Sequence, residues 1–134
     1  MSQVKVLLID DEKDFTKIFS ERLMLRNLDV MSVNKPEDAF EQIKISVPDV
    51  ILLDLKMPGM NGIDMLKILK QFDSTIEIIM ITGHGLGLGR EEALSMGAFD
   101  CLLKPVNIDE VTEKIEQAYK KKNLENKFLK TKII

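Results

Sequence analysis

Asp10, Asp11, Asp54, Thr82 and Lys104 are the residues whose types and placement could do chemistry, because each stands at or just after the end of a short apolar run. Three carboxylates gathered at one place repel one another unless a cation joins them. Hard oxygen donors without a set of nitrogen or sulfur ligands suit Mg²⁺, which keeps several of its waters. Zinc is excluded, since a single histidine, His84, and a single cysteine, Cys101, do not make a site for it. A divalent ion lets an anionic phosphoryl group approach an anionic carboxylate. Lys104 adds a second positive charge and Thr82 a hydroxyl donor. Phosphoryl transfer asks mainly for positioning and charge neutralisation, and this set supplies a nucleophile, a metal site, a cation and a hydrogen-bond donor.

The elements that must position these groups follow from the apolar pattern. Val4 to Ile9, Val30 to Val33, Val50 to Leu53, Ile76 to Ile81 and Phe99 to Leu103 are short apolar runs that read as strands. Between them, apolar residues recur at helical spacing. Phe15, Ile18, Phe19 and Leu23 mark a first helix; Ala39, Phe40 and Ile43, after Pro36, a second; Ile63, Leu66 and Leu69 a third. A weak fourth helix covers about Glu91 to Met96. The fifth starts at Asn107, whose side chain can cap it with Glu110 three residues on, and its apolar face is Ile108, Val111, Ile115 and Ala118. Strands and helices therefore alternate, and strands that are apolar on both faces imply an α/β fold, a parallel sheet with helices on either side. Ligands of such sheets bind outside the carboxyl ends of the strands. That is the edge where Asp10, Asp11, Asp54, Thr82 and Lys104 all fall.

The chain has 134 residues, 45% of them hydrophobic and 31% charged, which suits one globular domain. No apolar run approaches the roughly 20 residues that cross a bilayer, and the N-terminus runs into acids too soon for a signal peptide, so no membrane association is expected. A lone cysteine cannot form an intrachain disulfide and fits a cytoplasmic location. A net charge of −3 argues against direct nucleic-acid binding. The eight methionines are expected as core filler, His84 as a solvated loop residue, and Lys120 to Lys122 as a solvated helix end that complements the helix dipole.

Four segments, LLIDDE at 7–12, DLKMPGMNG at 54–62, MITGHG at 80–85 and GAFDCLLKP at 97–105, together resemble the response-regulator receiver family in order and spacing. The resemblance implies a flavodoxin-like doubly wound sheet of five parallel strands in the order 2-1-3-4-5, an order of which this family is itself a standard example. It further implies that Asp54 is the phosphoacceptor of a two-component phosphorelay. Asp11 is then a direct Mg²⁺ ligand, Asp10 a ligand through water, and the Lys56 carbonyl a third protein ligand. Thr82 contacts a phosphoryl oxygen and Lys104 pairs with the phosphoryl group. The Lys104–Pro105 bond is expected to be cis. The donor is a phosphohistidine on a sensor histidine kinase or phosphotransfer protein. The domain signals by changing shape and catalyses only its own phosphorylation and dephosphorylation.

Two rival functions are weighed by single residues. A haloacid-dehalogenase-type phosphatase needs a second acid two residues after the nucleophile, where Lys56 stands here. A pseudo-receiver, a pure interaction module, usually lacks one of the acids, the threonine or the lysine, and none is lacking here. Two features depart from the family, one of them the crowding of Gly83, Gly85, Gly87 and Gly89 before the fourth helix. Three residues before the lysine, where receivers usually carry Tyr or Phe as a rotating switch with the threonine, stands Cys101. Thr82 can make its part of the move, but Cys101 is too small to follow it, so Cys101 is expected to stay inward. The signal is expected to pass through the Gly-rich segment 83–89, read as mobile, and the fourth helix. Residues 1–122 are assigned to the receiver domain and 123–134 to a tail or the start of a linker to an output domain. A homodimer is a further partner this assignment leaves open.

Overall fold

Residues 3–83 and 87–133 are described by the structure, a computed structural model, with the backbone only for 87–89 and 129–133. His84 and the rest of 84–86, the middle of the segment expected to be mobile, lie outside the described residues. The chain runs β1 (Lys5–Ile9), α1 (Lys13–Met24), β2 (Asp29–Val33), α2 (Pro36–Ile45), β3 (Val50–Asp54), α3 (Gly62–Phe72), β4 (Glu77–Thr82), α4 (Gly87–Ser95), β5 (Asp100–Leu103) and α5 (Ile108–Ile133). All five strands pair in parallel in the order β2-β1-β3-β4-β5, as the family resemblance implied.

Strand alternation divides the core into two layers. Leu7, Ile9, Ile51, Leu53, Ile78, Met80 and Cys101 face Ala39, Met65, Leu66, Leu69 and Ala93 of α2, α3 and α4. Val6, Leu8, Leu52, Ile79, Ile81 and Leu102 face Phe19 and Leu23 of α1 and Val111, Ile115 and Ala118 of α5. Burial on both faces is what the unbroken apolar strands require. Cys101 is buried, as expected of a small apolar side chain. The side chain of Asn107 accepts the N–H groups of Asp109 (2.8 Å) and Glu110 (3.2 Å), so it caps α5 as its position suggested. Among the described residues no helix is long and apolar enough to cross a membrane.

Two elements differ from the sequence expectation. Helix α4 begins at Gly87 rather than near Glu91, so Gly87 and Gly89 lie inside a helix, where each costs about 1 kcal/mol relative to Ala. Of the three lysines expected as a solvated helix end, Lys120 and Lys121 are exposed but Lys122 is not, and α5 runs on past them to Ile133. Lys122 falls in the phase of Val111, Ile115 and Ala118, and its Nζ meets Oδ1 of Asp49 at 2.6 Å with only 13% of its side chain exposed. Asp49 is itself fixed, accepting the Lys5 N–H at 2.8 Å. Lys121 reaches Oε2 of fully buried Glu77 at 3.5 Å. These acids lie at the amino ends of β3 and β4; Asp49 draws Lys122 inward, while Lys121 stays 48% exposed. Burial in turn raises the pKa of Glu77, against the opposing pull of Lys70 and Lys121.

Beyond Lys122 the helix continues while Leu124 and Phe128 stay 69% and 61% exposed. Removing residues 123–134 is therefore expected to leave the urea midpoint almost unchanged, since Leu124 and Phe128 are exposed and the Glu125–Lys121 pair lost with them is half-exposed. Lys122→Ala, which leaves Asp49 without its partner, should cost about 1–2 kcal/mol. The reverse order of effects would show that the end of the helix packs on the domain and that Lys122 does not anchor it.

Candidate functional site

Five strand ends and the loops that leave them build the site. Asp10 follows the last residue of β1 and is held from several sides. Its N–H donates to the Val33 carbonyl at 3.2 Å, and its own carbonyl accepts from Nδ2 of Asn34 at 2.9 Å. Its carboxylate is equally committed, Oδ1 accepting the Glu12 N–H at 2.9 Å and Oδ2 the Lys104 ammonium at 2.6 Å. Asp54 is the last residue of β3. Oδ1 accepts the N–H of Lys56 at 3.2 Å, while the Leu55 N–H donates to the Ile81 carbonyl (3.1 Å) and the Gly62 N–H to the Leu55 carbonyl (2.7 Å). These bonds tie the β3–α3 loop to the next strand and hold the Asp54 carboxylate at the sheet edge. Thr82 ends β4 and is buried; its carbonyl accepts the Lys104 N–H at 2.7 Å, which sets the end of β5 beside it.

Lys104 crosses the edge from β5 to β1. Its Nζ lies 2.6 Å from Asp10 Oδ2 and 2.7 Å from Glu12 Oε1, and sits 4.4 Å above the centre of the Phe15 ring. Burial works to lower its pKa, but the hydrogen bonds it donates to Asp10 and Glu12 and the nearby charges outweigh it and raise the value. Lys104 is thus firmly cationic. The Lys104–Pro105 bond is cis.

Carboxylate oxygens of Asp10, Glu12 and Asp54 all lie within 4.8 Å of one another. The pKa of Asp54 is raised from 3.8 to about 6, chiefly by burial and then by the charge of Asp10, against the opposing effects of the Lys56 N–H and Lys104. The donor set is entirely oxygen and carries one ammonium against three carboxylates. That is the chemistry of a site for a small hard divalent cation, and the residues fit Mg²⁺.

The structure therefore brings Asp10, Asp54 and Lys104 together, with Thr82 at the neighbouring strand end. Asp11 is exposed and stands outside the group of three, although close enough for its charge to contribute to the raised pKa of Asp54. Lys56 meets Asp54 through its N–H. The residue that sequence reasoning missed is Glu12, which entered it only as the last residue of the LLIDDE segment. The available signal was its spacing. Because Asp10 accepts the Glu12 N–H, the turn carries Glu12 back over the end of β1, where Lys104 meets it.

A family model described as response regulator receiver domain matches residues 6–116. Among curated proteins, the transcriptional regulatory protein CpxR of Escherichia coli (strain K12) is 39% identical over 111 residues, 83% of this chain and 47% of that protein. Regulatory protein LuxO of Vibrio vulnificus (strain YJ016) is 32% identical over 114 residues, 85% of this chain and 25% of that protein. The chain thus spans about half the length of these relatives or less. Among solved structures, a response regulator receiver domain protein from Clostridium thermocellum superposes with a TM-score of 0.85 at 28% identity, over 90% of this chain and 98% of that one.

Proposed function

The chain belongs to the response-regulator receiver family, and from that premise we propose that it takes a phosphoryl group onto Asp54 from a phosphohistidine and signals by the change of shape that follows. The observation that carries this is the placing of the Asp54 carboxylate at the end of β3, within 4.8 Å of Asp10 and Glu12 oxygens, beside a lysine that is held but not buried away. An Asp54 oxygen attacks phosphorus in line. The new O–P bond forms as the P–N bond to the donor imidazole breaks, and the imidazole leaves with a proton from solvent. Asp10, Asp11 and Asp54, with the carbonyl of Lys56, would hold Mg²⁺, and Glu12 lies within reach of the same place. Bound there, the ion supplies positive charge against the phosphoryl oxygens.

This chain's own residues do the rest. Asp54 must be ionised to attack, which its pKa near 6 permits at neutral pH. Lys104 moves from Asp10 and Glu12 to the phosphoryl group, a short swing of a charged, flexible side chain. The Thr82 hydroxyl donates to a phosphoryl oxygen. No acid stands at Lys56 to drive turnover of outside substrates, so the domain acts on its own phosphoryl group alone. Its partners are a sensor histidine kinase or phosphotransfer protein in the cytoplasm, and residues 123–134 serve as a tail or linker toward an output domain.

The test is uptake from acetyl phosphate in the presence of Mg²⁺. One acid-stable, base-labile phosphoryl group is expected on the wild type, none on Asp54→Asn, and none on the wild type with a chelator. Equal labelling of the variant would move the acceptor elsewhere. An unlabelled wild type would make the chain a pseudo-receiver, and steady release of phosphate from small phosphate esters would make it a phosphatase.

A further inference from the structure

Arg90 reaches out of α4 to β5. Its Nη1 donates to the Cys101 carbonyl at 3.0 Å, and its Nη2 lies 3.4 Å from Oδ1 of Asp100. Asp100 is the centre of a small polar group. Its Oδ1 also accepts the Cys101 N–H at 2.7 Å, and its Oδ2 meets Nζ of Lys114, on α5, at 2.9 Å. One carboxylate therefore joins α4, β5 and α5. Burial alone would raise the pKa of Asp100, but Lys114, the Cys101 N–H and Arg90 together lower it, so the carboxylate is ionised wherever the domain is folded at neutral pH.

The position of this group gives it meaning. Thr82 pairs with Leu103 and Met80 with Cys101 in the β4–β5 register, so Arg90 binds β5 two residues along from the end of β4. Seven residues, 83–89, separate Thr82 from Arg90 in the chain. Thr82 and Arg90 are therefore close in the chain, and Arg90 ties α4 to β5, the strand beside Thr82. Cys101 has no ring that could swing in answer; what it offers α4 is its carbonyl. A guanidinium can serve that carbonyl and the Asp100 carboxylate at once through its planar fork, which a lysine cannot. The Arg90 side chain is 43% exposed, so the contact is weak enough to break and re-form.

We propose that Arg90 is a latch that fastens α4 to β5 through Asp100 and the Cys101 carbonyl, and that it opposes the shift of α4 coupled to phosphoryl uptake at Asp54. The proposal rests on the receiver function set out above, and it makes Arg90 a positioning residue. Coupling of this kind is reciprocal: if uptake releases the latch, loss of the latch must favour uptake.

The experiment titrates the full chain, in Mg²⁺, with beryllofluoride as the phosphoryl mimic, by calorimetry. Wild type, Asp54→Asn, Arg90→Met and Asp100→Asn are compared, with hydrogen exchange across residues 90–96. Arg90→Met should bind the mimic about fivefold more tightly than wild type, the effect of removing roughly one charged, half-exposed contact. Exchange across 90–96 in the unliganded variant should rise, while residues 50–54 stay as protected as in wild type. Asp100→Asn should shift affinity the same way. Absence of binding by wild type, or equal binding by Asp54→Asn, would overturn the receiver function itself. Asp54-dependent binding by wild type with unchanged or weaker binding by both latch variants would overturn the latch alone, and a lowered melting temperature without a gain in affinity counts as that result. If Arg90→Met does not fold, Asp100→Asn decides, because its side-chain oxygen still accepts the Cys101 N–H.

Discussion

Asp54→Asn is expected to make the metal-free protein more stable at neutral pH, although it removes the group the site is built around. The carboxyl is almost fully buried, with Asp10 beside it, and its pKa stands at about 6 against an ordinary 3.8. The sign follows from proton linkage. Below about pH 3.8 the group is protonated in both the folded and the unfolded chain, and its contribution to stability is complete. Between 3.8 and 6 the unfolded chain gives up its proton first, so stability falls as pH rises, and above 6 the loss is complete. An asparagine has the same shape and never ionises. The variant should therefore gain about 1–3 kcal/mol at pH 7.5, the lower end reflecting solvent at the rim of the site. The difference should vanish near pH 4. Urea unfolding in chelator at the two pH values measures it. Equal stability at pH 7.5 would mean that Lys104 already neutralises Asp54 in the folded chain. Added Mg²⁺ should stabilise the wild type more than the variant, since the variant has one fewer anionic ligand to offer.

Much of this could be read from residue order because apolar strands buried on both faces leave few alternatives. Ile51, Leu53 and Ile78 face one helix layer and Leu52, Ile79 and Ile81 the other, so neither face could be polar. Once the sheet is parallel, Asp10, Asp54, Thr82 and Lys104 must share its carboxyl edge. What sequence order hid was set by partners distant in the chain. Lys122 looks like any lysine in a basic run until Asp49, 73 residues away, is placed under it. Lys121, still 48% exposed, reaches Glu77, a charged residue inside a strand that apolar patterning does not account for. Glu12 gains its role from Lys104, 92 residues on. Gly87 and Gly89 disguised the start of α4 because their own preference is against a helix, and that placed Arg90 in an apparent loop. Lys122 was assigned to solvent by default, and an opposite charge delivered by the topology moved it.

Gly62→Ala should be the most damaging small substitution near the site. Gly62 is the first residue of α3 and its N–H closes the loop that begins at Asp54. A methyl group there would stand 2.7 Å from the Asp54 carbonyl oxygen, 2.7 Å from the Leu55 Cα and 2.9 Å from the Met80 side-chain methyl. The methionine can turn aside, but the two backbone atoms, one at the end of β3 and one just after it, cannot. Either α3 backs away from the sheet or the strand end shifts, and the second choice moves Asp54 relative to Asp10 and Lys104. The expected cost is about 2–4 kcal/mol, at the high end for overpacking because backbone rather than a rotamer must yield. Uptake from acetyl phosphate should slow at the same time, since the acceptor is displaced by tenths of an ångström from its partners. Gly59 in the same loop is the comparison. It has a φ of +86° with nothing within 4 Å of a Cβ, so Gly59→Ala strains only its own backbone, by about 1–2 kcal/mol. Asparagine, which tolerates that conformation, should recover part of the loss at 59 and none at 62. Urea unfolding of the three variants, with the rate of phosphoryl uptake measured on each, separates the two causes. If Gly62→Ala costs no more than Gly59→Ala and leaves uptake unchanged, then α3 can retreat freely and the β3–α3 junction does not hold Asp54 in place.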